Sequence, residues 1–221
     1  MEPFQRDFVD LLVKYEVVRF GSFTLKSGRT SPYFVNAGQL RTGHAIAAVG
    51  AAYAATLRAA GVACDLVFGP AYKGVPLAVA TATAMSTDDD DVPFGFDRKE
   101  AKDHGEGGTF VGTAPADGMR VVLVDDVITS GKSLREAAAL LRGSAAVEIS
   151  AAVVAVDRQE RGKGEKTTLE ELRDELGMRV LPIVTIREMV DYLHGRSFDG
   201  RVLLDDAHRA AIEAYLAEHG A

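Results

Sequence analysis

The sequence has no tryptophan, a single cysteine and no long uninterrupted apolar run. Each absence excludes something. Cys64 alone cannot close an internal disulfide. Its place beside the apolar run Asp65–Phe68 reads as a small core residue in a reducing compartment before it reads as a nucleophile. No apolar stretch reaches the length that crosses a bilayer, so no membrane partner is expected. The opening MEPFQRDF has no basic region followed by an apolar run, so it does not read as a signal peptide. The expected location is the cytoplasm. Basic residues are also in deficit, 25 Lys and Arg against 32 Asp and Glu, for a net charge of −7. That balance speaks against nucleic acid as the main partner. Neither an internal repeat nor a long linker interrupts the chain.

What is present is an ordinary globular composition. The 221 residues are 47% apolar and 26% charged, enough for one domain with a sizeable core. Phe4, Phe8, Leu11, Leu12 and Tyr15 share a helical face. Two β-like runs, Phe20–Leu25 and Tyr33–Asn36, flank the turn Lys26-Ser27-Gly28-Arg29. Arg41–Ala60 is Ala-rich and helical, with Gly61 as its stop. From there strands and helices alternate. Strands are expected at Asp65–Phe68, Val92–Arg98, Thr109–Val111, Met119–Val124, Val147–Val156 and Arg179–Val184. Helices are expected from about Gly74 to Met85 and at Leu134–Leu141, Thr168–Leu176, Ile186–Leu193 and Ala207–Ala217. This pattern predicts an α/β fold with a mainly parallel central sheet and helices on both faces. The expected division is a hood over 1–40, a core over 41–185 and closing helices over 186–221.

The densest chemistry lies in Val121–Ser133, VVLVDDVITSGKS. Four apolar residues form a buried strand that delivers Asp125 and Asp126 to its carboxyl end. The loop Val127–Ser133 can then turn its amides toward an anion at the next helix N-terminus. Carboxylates for sugar hydroxyls beside amides for a phosphate describe a ribose-5-phosphate site. The GKS ending suggests a nucleotide-binding P-loop, but the glycine that such a loop needs five positions earlier is Asp126. A buried strand with a solvated polar turn explains the two acids but not the whole run.

Four further segments stand out. GPAYKG, residues 69–74, puts Tyr72 and Lys73 at a strand's carboxyl end, where open α/β sheets bind ligands. RKEAKDHGEGG, residues 98–108, has no apolar face. It reads as a polar surface loop or as a lid carrying Arg98, Lys99, Lys102 and His104. DRQERG, residues 157–162, reads as a charged turn. The acidic run Asp88–Asp91 has no metal-ligand spacing, because consecutive side chains point different ways, and it reads as a solvated turn.

The run Val121–Ser133 resembles the phosphoribosyl-pyrophosphate (PRPP) motif of the type I phosphoribosyltransferases. Leu25–Phe34 resembles the LKSGRxSPxF signature of the orotate phosphoribosyltransferases, and residues 98–108 are similar to their RKExKxHGxGG loop. The DRQERG run resembles that family too. The resemblance covers nearly the whole chain, and what it implies is specific. The reaction would be orotate + PRPP → orotidine 5′-monophosphate + pyrophosphate, with Mg²⁺ carried by PRPP and water rather than by a protein metal site. Lys99, Lys102, His104, Asp125 and Asp126 would be catalytic. PRPP would meet these residues together with Lys26, Tyr72, Lys73, Arg98, Val127, Ile128, Thr129, Ser130, Gly131, Lys132 and Ser133. Orotate would meet Lys26, Phe34, Val35, Thr129 and Arg158, the arginine pairing with its carboxylate. The 98–108 loop would reach the neighbouring active site of a homodimer.

Two departures from the family pattern stand out. Val35 replaces a frequent second aromatic, leaving Phe34 as the stacking ring. The phosphate loop reads TSGKS where small residues such as TAGT are common, and Lys132 has two placements, beside the phosphate or toward solvent. Two rival readings share the PRPP site. A purine or xanthine phosphoribosyltransferase would lack the Lys26 hairpin and Arg158. A PRPP-sensing regulator that binds nucleic acid would need a basic face.

Overall fold

The computed structural model describes residues 1–25, 28–102, 108–128 and 130–221, and of residues 99–102 the main chain alone. The first element, α1 (Pro3–Lys14), starts on a proline at its first turn, where no amide partner is lost. Gln5 accepts from the Glu2 N–H and donates to the Ile183 carbonyl at 2.6 Å, which ties the helix to the core. Its buried face is Phe8, Val9, Leu11 and Leu12. An antiparallel hairpin follows, β1 (Val18–Thr24) and β2 (Thr30–Val35).

The remaining strands are β3 (Leu66–Phe68), β4 (Phe94–Lys102), β5 (Gly108–Gly112), β6 (Arg120–Val127), β7 (Glu148–Asp157) and β8 (Arg179–Thr185). They form one sheet in the order β5-β4-β3-β6-β7-β8. All pairs are parallel except β4 with β5. The first two helices after the hairpin are α2 (Gly43–Ala59) and α3 (Gly74–Met85). Then come α4 (Lys132–Ser144), α5 (Thr168–Leu176), α6 (Ile186–Leu193) and α7 (Asp206–His219).

The central strands show why the sequence reads as continuous apolar runs. Along β6, Val122 and Val124 join the core beneath α1, α2, α3, α6 and α7. Val121 and Leu123 join a second core beneath α4 and α5. Alternating side chains of a parallel strand must both be apolar when helices cover both faces. Each fully buried Leu or Val contributes about 1.5–3 kcal/mol, and β6 is the strand that carries the two aspartates into the middle of the sheet.

The expected fold class holds, with boundary corrections. β6 runs through Val127, so Asp125 and Asp126 lie inside the strand, paired opposite the end of β7. α4 begins at Lys132, two turn residues earlier than its apolar pattern. Residues 98–108, read as a loop, are in part strand: β4 continues to Lys102 and β5 starts at Gly108, with Lys102 opposite Gly108. A two-residue ladder in the tail, β9 (Ser197–Phe198) with β10 (Arg201–Val202), was not anticipated. The last residues are laced to the segment after β7. Arg161 N–H donates to the His219 carbonyl at 2.9 Å, and Ala221 N–H donates to that of Gln159 at 3.3 Å. Glu160 and Gly220 form an isolated β-bridge.

Candidate active site

The carboxyl ends of β3, β6 and β7 open into a cavity of about 870 Å³, closed on one side by the β1–β2 hairpin. After β3 the chain turns through Gly69–Gly74. A side chain at Gly69 would place a Cβ 2.0 Å from the Gly74 carbonyl oxygen, so only glycine permits the turn. The turn is held from β4 by Asp97, whose Oδ1 accepts the Ala71 N–H at 2.8 Å. It presents an exposed Tyr72 and Lys73 to the cavity. The Lys73 ammonium sits 2.5 Å from Asp126 Oδ2.

The two aspartates have different partners. Asp125 faces its own loop: one oxygen accepts the Asp126 N–H at 2.9 Å and the other accepts the Ser133 hydroxyl. Burial pushes the Asp125 carboxyl above its ordinary pKa, and the Ser133 bond opposes this. Tyr53, wholly buried in α2, donates to the Asp125 carbonyl at 2.7 Å and fixes the strand end from behind. Asp126 meets Lys73 across the cavity mouth. The loop then reaches Gly131, which caps α4 at φ +67°. A Cβ there would lie 2.8 Å from Leu172 Cδ1, so glycine is required for both conformation and space. Arg135 holds this loop by donating to the Ser130 carbonyl at 2.5 Å. The amides of Gly131–Ser133 lie at the α4 N-terminus, where the helix dipole favours an anion.

On the opposite wall, Phe34 stacks on Phe23 at 5.6 Å, with the Arg19 guanidinium over both rings. Val35 lines the cavity beside it. Arg158 projects from the end of β7, buried, its guanidinium 4.9 Å above the Tyr33 ring.

The cavity thus gathers most of the expected site. Tyr72, Lys73, Asp125 and Asp126 line it, as do Val127, Ile128 and Ser130–Ser133, and on the far wall Phe34, Val35 and Arg158. Lys132 lines the rim with a side chain 77% exposed, 3.6 Å from Glu136. Arg98, expected among the PRPP contacts, sits on β4 and does not line the cavity of its own chain. Lys26, His104 and Thr129 lie outside the described residues, as do the side chains of Lys99 and Lys102, whose main chain is at the end of β4.

Sequence reasoning missed Asp157 and Glu160, both on the cavity wall. The DRQERG run contained the signal, but only its arginine was assigned. Burial raises the Asp157 pKa, opposed by the Gln159 N–H it accepts at 2.8 Å. Arg29, on the same wall, was counted only as part of the hairpin turn. Among the described residues no group of three or more His, Cys, Asp or Glu could hold a metal ion. The donor chemistry at the strand ends is carboxylate, the oxygen type that hard divalent ions take.

Strand-end carboxylates, a glycine-capped helix N-terminus and a wall carrying Phe34 and Arg158 thus face one cavity. The model of the phosphoribosyl transferase domain family matches residues 36–175. An orotate phosphoribosyltransferase of Photorhabdus laumondii is 47% identical over 221 residues, the whole of both chains. One from Methylococcus capsulatus is 48% identical, covering all of this chain and 99% of its own. The crystal structure of the Francisella tularensis orotate phosphoribosyltransferase superimposes with a TM-score of 0.83 at 33% identity, covering 97% of this chain and all of that one. The chain belongs to the orotate phosphoribosyltransferase family.

Proposed function

We propose that this enzyme transfers the 5-phosphoribosyl group from PRPP to N1 of orotate, giving orotidine 5′-monophosphate and pyrophosphate in UMP biosynthesis. The observation that carries this reading is the continuity of one cavity from the Gly131–Ser133 loop, past Asp126 and Lys73, to Arg158 and Phe34.

In this reading the amides and hydroxyls of Ser130–Ser133, with Thr129, hold the 5′-phosphate. Asp126 holds the ribose hydroxyls, and Asp125 shapes the loop that presents them. Breaking the anomeric C–O bond sends its electron pair onto pyrophosphate and leaves positive charge on the ribose. Lys73 stabilises the departing anion, with Lys99, Lys102 and His104 of the segment 98–108, and the two aspartates favour the cationic ribose. Orotate N1 attacks C1 from the opposite face and gives up its proton to the departing pyrophosphate or to water, with Lys26, Phe34, Val35, Thr129 and Arg158 fixing the ring. Positioning does the work of a protein nucleophile. Mg²⁺, when bound with PRPP, screens the pyrophosphate charge.

The chain works as one unit in this proposal, 1–40 forming the base-side hood, 41–185 the core and 186–221 the closing helices. It acts as a homodimer in which residues 98–108 serve the neighbouring site. The proposed location is the cytoplasm, in keeping with an acidic chain whose single Cys64 is a free thiol. Among the described residues no helix is long and apolar enough to cross a membrane.

The test is loss of orotate absorbance with PRPP and Mg²⁺, run beside hypoxanthine, adenine and xanthine. Turnover is expected with orotate alone. Turnover of a purine without orotate would transfer the reading to the purine enzymes.

A further inference from the structure

Glu160 is the most heavily bonded carboxylate on the cavity wall, and the reaction as described gives it no part. Its side chain is only 13% exposed. Oε1 accepts from Arg158 Nε at 2.9 Å and Nη2 at 2.5 Å. The same oxygen accepts the hydroxyls of Tyr33 and Tyr215, each at 3.1 Å. Oε2 accepts from Arg29 Nη2 at 3.1 Å. One carboxylate therefore joins three parts of the fold: the base-side hairpin through Arg29 and Tyr33, the end of β7 through Arg158, and α7 through Tyr215.

A carboxylate offers about four lone-pair sites, all as acceptor when ionised. With five donor contacts on it, four of them on Oε1, Glu160 is engaged by protein partners rather than poised as a base. Its effect must pass through its partners. Arg158 is the informative one. Its Nε–Nη2 edge is held by Glu160, and the Tyr33 ring supports it 4.9 Å below. Tyr33 is itself fixed by its bond to Glu160 and by the edge of Tyr215 at 5.9 Å. The guanidinium is thus gripped on one edge and one face, in a residue that lines the cavity. Charge points the same way: without Glu160, Arg29 and Arg158 would be neighbouring cations with no shared anion.

We propose that Glu160 is a positioning residue that sets the orientation of Arg158 and so the selectivity of the site for a ring bearing a carboxylate. This rests on the reading above in which Arg158 meets the carboxylate of orotate. A side chain that only stabilised the fold would affect both substrates. One that aims Arg158 affects the base alone.

The experiment is steady-state kinetics on Glu160→Gln, Arg158→Ala and the double variant, varying orotate and PRPP separately. A change from carboxylate to amide keeps the volume and removes the charge. The expected result for Glu160→Gln is an orotate KM raised about tenfold, the loss of one charge-assisted bond, with the PRPP KM within about twofold of wild type. The double variant is expected to match Arg158→Ala, because the two residues act in series. If Arg158→Ala raises the orotate KM but Glu160→Gln does not, the positioning role is overturned while the Arg158 reading stands. Effects that multiply in the double variant would overturn the positioning role equally. If Arg158→Ala leaves the orotate KM unchanged, the Arg158 reading fails and the proposal with it. Should Glu160→Gln not fold, Glu160→Asp draws the carboxylate back by one methylene and carries the same expectation, a raised orotate KM with the PRPP KM held.

Discussion

Replacing Asp126 by Asn should weaken PRPP far more than replacing Lys132 by Ala, and the structure sets the size of the gap. Asp126 has a side chain 11% exposed and holds Lys73 at 2.5 Å. Asn keeps one acceptor oxygen but turns an amide, with two donors, toward either the ammonium or the sugar. A hydrogen bond to a charged group contributes about 1.5–3 kcal/mol, so losing that character should reduce PRPP use roughly tenfold to a hundredfold. Lys132 is at the rim, 77% exposed and already 3.6 Å from Glu136. A solvated point charge of that kind contributes little, about fivefold at most, and less as salt is added. The assay is kcat/KM for PRPP at saturating orotate, repeated at two ionic strengths. The reverse order, with Lys132→Ala the more damaging, would refute the view that the strand-end carboxylates are primary and place the key charge in the phosphate loop.

Two predictions concern stability. Burial holds the Asp157 carboxyl above its ordinary pKa, so its ionised form is disfavoured in the folded state. That penalty applies above the folded-state pKa and is relieved as the pH falls through it toward the ordinary value. Asp157→Asn, which keeps an acceptor for Gln159 N–H, should therefore raise the thermal midpoint at pH 8 and lose the gain in acid; a gain independent of pH would contradict the cause. In α2, Gly50 lies so close to α3 that a Cβ would meet the Ala80 carbonyl oxygen at 2.3 Å. Gly50→Ala should cost about 1–3 kcal/mol, at roughly 2–4 °C of midpoint per kcal/mol for a chain this size. An unchanged urea midpoint would show that the helices can separate freely.

Much of this was legible in the chain because it depends on local pattern. The buried strands announce themselves as unbroken Val and Leu runs, since both faces are covered. Helices such as Thr168–Leu176 and Ile186–Leu193 match their expected bounds, each opened by a threonine cap with glutamate three residues later. The continuation of β4 past Arg98 to Lys102 was not legible, whereas β5 was expected at Thr109–Val111. The residues RKEAK show no apolar alternation, and the pairing of Lys102 with Gly108 is made through the main chain, which leaves no trace in side-chain pattern. The position of Arg98 relative to the cavity was hidden for a related reason. Its motif gives the order of residues, whereas strand β4 decides which of them face the cavity. Glu160 was hidden more deeply. Its partners Arg29, Tyr33 and Tyr215 lie 131, 127 and 55 residues away, and only the assembled fold brings them to one carboxylate.

The lacing of the last residues to the segment after β7 has a practical side. Gly220 bridges Glu160 itself, and Ala221 bonds to the Gln159 carbonyl. A purification tag or fusion partner joined after Ala221 would pull directly on the loop that carries Arg158. A handle attached before Met1 leaves that seam untouched, and is the better choice for any preparation meant to report on base recognition.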